Sequence, residues 1–89
     1  RMVKKDYAAA LAQIDTALLR EPNNADLLTT ASGMNALLSR WDAAVENSKR
    51  AYSLDPRNPS TVSNVARILR AVRRFKDADD YYAKAMALS

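Results

Sequence analysis

Eighty-nine residues, 48% of them apolar, with one glycine, three prolines, no cysteine and no histidine, set the first limits. So short a chain makes one small domain at most, or a piece of a larger one, and it lacks disulfides, thiol nucleophiles and imidazole bases or ligands. Fourteen Lys and Arg against ten Asp and Glu leave a net charge of +4, a mild bias toward acidic partners. No apolar stretch reaches the ~20 residues of a membrane-spanning helix.

The N-terminal Arg1-Met2-Val3-Lys4-Lys5 has no apolar segment behind its basic residues, so no secretory signal is read there; the compartment stays unassigned, with the cytoplasm slightly favoured. Arg1–Lys4 reads as the tail of a helix, followed by a helix over Tyr7–Arg20 that stops at Glu21-Pro22-Asn23-Asn24. A helix from Ala25 to about Trp41 and another over Asp42–Leu54 come next, parted near Ser39-Arg40-Trp41-Asp42, where neither Gly nor Pro enforces a break. At Leu54-Asp55-Pro56-Arg57-Asn58-Pro59 the punctuation is stronger. Pro56 disfavours helix at Asp55, Asn58 suits an N-cap, and Pro59 suits a first helical position. Two more helices follow, Pro59 to about Phe75 and Lys76–Leu88, parted near Arg73-Arg74-Phe75-Lys76.

A period of 34 residues runs through these elements. It joins Pro22 to Pro56, Tyr7 to Trp41 to Phe75, Ala10 to Ala44 to Ala78, and Ala17 to Ala51 to Ala85. Alanine coincidences are weak, but three of only six aromatics share one register. On a helical projection of Pro59–Phe75, Val62, Val65, Ile68, Leu69, Val72 and Phe75 form a dry arc. Ser60, Ser63, Asn64, Arg67, Arg70, Ala71 and Arg74 lie opposite. In Ala25–Trp41 the dry arc is Leu27, Leu28, Ala31, Met34, Leu38 and Trp41, against Asp26, Thr29, Thr30, Gly33, Ala36, Leu37 and Arg40. The same face stays wet in both periods, and the alanines of the second helices allow close packing.

An aromatic opening the second helix, Ala three and ten residues later and Pro fifteen after the aromatic resemble the tetratricopeptide repeat: Trp41, Ala44, Ala51 and Pro56, and again Tyr7, Ala10, Ala17 and Pro22. Phe75, Ala78 and Ala85 repeat three of the four. The resemblance implies an all-α fold, a right-handed α-α superhelix or solenoid of antiparallel helix pairs. Residues 1–89 then form a single array with a partial repeat at 1–22, a full one at 23–56 and a nearly full one at 57–89. Where the family usually places a Leu-Gly pair and a Tyr in the first helix, this chain has Ala31-Ser32 and Asn35, then Val65-Ala66 and Leu69. Asn35, and Ser48 in place of a second-helix aromatic, suggest a looser middle repeat. Such arrays normally end in a polar helix, and Tyr82, Ala85, Met86 and Leu88 do not make one. The chain is therefore expected to be a piece of a longer protein, or to self-associate through its end helices.

The resemblance also implies a scaffold for protein–protein interaction that binds a peptide segment on a concave face lined by the first helix of each pair. The strip Thr29, Thr30, Gly33 and Leu37 is nearly neutral, and Ser60, Ser63, Asn64, Arg67, Arg70 and Arg74 add three guanidiniums, which fit an acidic or C-terminal-carboxylate peptide. Asn64 matches one residue of the clamp by which some members hold a chaperone's C-terminus, but Thr29 and Gly33 stand where that clamp needs Lys and Asn. The alternative is a structural or self-association segment within a larger regulatory or enzymatic protein. The composition is compatible with a bacterial source. No nucleic-acid partner is expected, since the wet face holds no aromatic to stack a base and three Asp follow the Arg run. Neither an enzyme site nor a cofactor is expected, because Asp77, Asp79 and Asp80 do not share a helix face and no His or Cys completes a metal site. Trp41, Tyr81 and Tyr82 are read as packing residues.

Overall fold

The structure, a computed structural model, describes residues 4–88, with side chains from Asp6 onward. Among these residues the chain forms five helices and no strand: α1 (Lys4–Arg20), α2 (Ala25–Leu37), α3 (Trp41–Leu54), α4 (Pro59–Ala71) and α5 (Phe75–Leu88). They stack as antiparallel pairs in a right-handed α-α superhelix. Lys4 opens α1 instead of closing an earlier helix, and the rest of the expected tail lies outside the described residues. None of the helices is long and apolar enough to cross a membrane, among the described residues.

Two kinds of turn alternate. The proline-marked turns are capped by asparagine: Asn24 Oδ1 accepts from the Leu27 N–H at 3.1 Å and Asn58 Oδ1 from the Ser60 N–H at 2.9 Å, satisfying donors that the first helical turn leaves open. Each cap amide is braced by a preceding carboxylate, Glu21 for Asn24 and Asp55 for Asn58. Arg50 of α3 reaches back to the first of these turns, donating to the Pro22 carbonyl at 3.2 Å.

The other turns, which carry neither Gly nor Pro, close by a backbone device. Ser39 and Arg73 adopt left-handed conformations with φ of 62° and 66°. Their N–H groups donate to Ala36 O and Arg70 O, while those of Arg40 and Arg74 donate to Asn35 O and Leu69 O at 2.8 and 2.9 Å. This is the Schellman pattern, in which the residue past the cap takes the left-handed well. The Arg40 and Arg74 carbonyls then accept from Ala44 and Ala78, so the next helix starts at once. Trp41 and Phe75, expected in the dry arcs, lie beyond these turns and are 37% and 53% exposed. A projection that continues α2 and α4 past Leu37 and Ala71 misplaces them, because the helical period ends there.

The core forms where α4 meets its neighbours. Val62, Val65, Ala66 and Leu69 are fully buried and Ile68 nearly so, each large apolar side chain contributing about 1.5–3 kcal/mol on burial. Val65, Leu69 and Ala78 are packed by Val45, Tyr52, Tyr81 and Tyr82. Ala44, Ala51, Ala78 and Ala85 turn their small side chains inward along α3 and α5, as the 34-residue spacing predicts. Asn35 and Ser48, expected to loosen the middle hairpin, are sealed: Asn35 Nδ2 donates across to Asn47 Oδ1 at 3.1 Å and Ser48 Oγ to Val45 O at 2.9 Å. Contacts run between successive helices, and α2 and α4 also approach each other directly. On the opposite side α3 and α5 meet through long side chains, the Tyr52 and Tyr81 rings standing edge to face at 5.3 Å with the Lys84 ammonium 4.8 Å from the Tyr81 ring centre.

Left-handed backbone at a residue bearing a Cβ costs roughly 1–2 kcal/mol. Ser39→Gly and Arg73→Gly are each expected to raise unfolding free energy by about 1 kcal/mol, the part of that cost not offset by glycine's own chain entropy. Urea titration of the two variants checks this; a loss of stability in both would show that the turns are not strained.

Candidate functional site

Because Asn24 and Asn58 start α2 and α4 at equivalent points, residues 34 apart occupy equivalent places on the two helices. Thr29 pairs with Ser63, Thr30 with Asn64, Gly33 with Arg67, and Leu37 with Ala71. This shared register sets the expected strips side by side.

They are not uniformly wet. Ser60, Arg67, Arg70 and Arg74 are exposed, as are Thr30 and Leu37, while Thr29, Gly33 and Ser63 are half-buried. Asn64, expected in the wet arc, is 5% exposed and points into the α2–α4 contact. Its Nδ2 donates to Ser32 Oγ at 2.7 Å, and the Ser32 hydroxyl donates in turn to the Thr29 carbonyl at 2.7 Å. Its Oδ1 accepts from Arg67 Nη2, one turn along α4. The chain of bonds thus runs in one direction, from the guanidinium inward to the backbone of α2. It fixes the orientation of the Asn64 amide and anchors one edge of Arg67, whose remaining donors face outward.

Two hollows flank Arg67. The first, of about 370 Å³, is lined by Thr29, Ser60, Ser63, Asn64, Arg67 and Tyr82, and is edged with hydroxyls. Thr29 Oγ1 is buried at its wall without a hydrogen-bond partner, among the described residues. The second, of about 340 Å³, is apolar, lined by Gly33, Met34, Ala36, Leu37, Trp41, Arg67, Ile68 and Ala71. Of the expected residues, Thr29, Gly33, Leu37, Ser60, Ser63, Asn64 and Arg67 are brought to the hollows; Thr30, Arg70 and Arg74 line neither. Thr30 donates to its own helix at the Asp26 carbonyl, and Arg74 makes an ion pair with Asp77 at 3.0 Å. The strips also missed Tyr82 of α5 and Trp41 of α3, because a single-helix projection carries no signal for a neighbour's side chain.

Comparison with known proteins agrees with this architecture. No protein-family model matches the chain. Over 85 residues, 96% of its length, it is 25% identical to the small glutamine-rich tetratricopeptide repeat-containing protein 2 of Mycosarcoma maydis. The fold and the relative's name agree with a tetratricopeptide-like helical array. Two solved structures share the fold: a MamA point mutant, with a TM-score of 0.86 over 96% of this chain at 21% identity, and MamA MSR-1 C2, with 0.84 over 93% at 20%. The chain spans 24% of the Mycosarcoma maydis protein and 62% and 48% of the two MamA chains.

Removing the Ser32 hydroxyl leaves the Asn64 Nδ2 donor unpaired in the interior, which costs about 1–3 kcal/mol. Ser32→Ala is expected to lose that much, and adding Asn64→Leu to lose less than the sum of the two single changes. A double-mutant cycle by urea unfolding measures the coupling, and strictly additive losses would rule it out.

Proposed function

We propose that this chain is a protein-interaction module whose α2–α4 groove, the concave side of the stack, binds an acidic peptide segment. The carrying observation is Arg67: exposed, fixed along one edge by a buried amide, and set between two hollows. A guanidinium held in place loses little further freedom on pairing with a carboxylate and presents its fork in a preset direction. Ser60, Ser63 and Tyr82 add hydroxyls around the same hollow, and no Asp or Glu lines it. Arg70, one turn away and exposed, raises the local positive potential. The name of the Mycosarcoma maydis relative supports the same type of module. Asn64, which the resemblance to a chaperone clamp would give to the ligand, has its amide committed to Ser32, so a chaperone clamp is not the favoured form. The reading assigns the chain no catalytic step.

A second reading, self-association, has its own observation. Leu19 on α1 and Met86 on α5 are 85% and 75% exposed, apolar surface on the two outermost helices. It differs in placing the partner on the end helices instead of the groove.

With a fluorescent peptide carrying adjacent Asp residues as probe, Arg70→Ala is expected to weaken binding about three- to tenfold while leaving the melting curve unchanged. Arg67→Gln is expected to weaken it more, and raising salt to narrow both differences. Equal affinity for the Asp peptide and its Asn counterpart would refute the acidic specificity.

A further inference from the structure

Gly33 sits in the interior of α2, where glycine weakens a helix relative to alanine. Neither usual reason for a glycine applies. Its φ is not positive, and a Cβ built on it would meet nothing within 4 Å, so no helix approaches closely at that point. What the missing side chain leaves is open space, the floor of the apolar hollow. At the equivalent place on α4 stands Arg67, whose long side chain forms the wall shared with the polar hollow.

Resting on the groove reading above, we propose that this hollow receives one apolar side chain of the bound segment, next to the acidic residue paired with Arg67. The ligand class is then an extended peptide carrying an apolar–acidic pair. Leu37 and Trp41, 48% and 37% exposed, border the hollow with apolar surface that an occupant would cover. Ile68 and Ala71 form the opposite side. Arg67 lines both hollows, its guanidinium bonded to Asn64 at the polar one, and an arginine combines an apolar stem with a charged head. The two ligand groups are therefore separated by the width of a single side chain, which adjacent or next-but-one residues of an extended chain can span. Neither hollow is lined by Asp or Glu, so the charge around the pair complements an acidic ligand and repels a basic one.

Fluorescence anisotropy with short synthetic peptides on a Gly-Ser background, each bearing one Leu and one Asp adjacent or one residue apart, tests the assignment. Companion peptides replace Leu by Ala or Asp by Asn. The wild-type chain is expected to prefer the Leu peptide over the Ala peptide by about tenfold. Gly33→Leu, which fills the hollow, should abolish that preference while the preference for Asp over Asn survives. Gly33→Ala should raise the melting temperature and yet weaken the Leu-Asp peptide, a combination that loss of fold does not produce. Equal binding of Leu and Ala peptides with the Asp preference intact overturns the apolar subsite and leaves the acidic groove standing. No binding of any peptide up to millimolar concentration overturns both. A wild-type dimer in sedimentation analysis that Gly33→Leu dissociates, without peptide binding, would give the hollow to a second copy and overturn the peptide assignment.

Discussion

The bond between Asn64 and Ser32 joins the leading helices of two successive pairs, and much of the rest is arranged around it. A buried amide is costly unless paired, so the interior accepts Asn64 only when α2 and α4 are placed with Ser32 opposite it. A sliding of one pair against the other by a residue would strand that amide, whereas the surrounding Val62, Val65 and Leu69 would tolerate many packings of similar area. Apolar burial supplies most of the stabilisation here, and the polar pair selects the alignment. The same amide holds Arg67, so the geometry of the groove is tied to the alignment of the stack.

The turns contribute by keeping the alignment repeatable. Asparagine caps begin α2 and α4, and left-handed Ser39 and Arg73 end them, at positions again 34 apart. Each helix of the leading set therefore has the same length, 13 residues, and begins in the same way. Equal lengths and starts make equivalent residues adjacent in space, and this is why Gly33 and Arg67 stand side by side as floor and wall of one hollow.

How much of this the sequence discloses depends on the kind of interaction. Aromatic and alanine register disclosed the paired-helix architecture and the burial of Ala44, Ala51, Ala78 and Ala85, because these positions follow from periodicity within one helix. Ile68 and Leu69 were legible as core and Arg67 as exposed for the same reason. The half-exposed Phe75 and Trp41 were not, since the arcs were projected through a turn that no Gly or Pro announces. Asn64 read as surface and Asn35 as a source of looseness, and only their partners in three dimensions explain their burial. The two strips were visible as residues; the division into a polar and an apolar hollow was not, because Tyr82 and Trp41 come from other helices.

Among the described residues α1 packs its backbone closely on α2 alone and α5 on α4 alone, reaching α3 only through side chains such as Tyr81 and Lys84, while α2, α3 and α4 are each held from more than one side. Such a stack behaves like a short one-dimensional lattice in which cooperativity is passed from neighbour to neighbour. Its outer members open first, at a fraction of the global unfolding free energy, and the middle three persist longest. The groove, built on two of those three, is consequently carried by the most slowly exchanging part of the backbone.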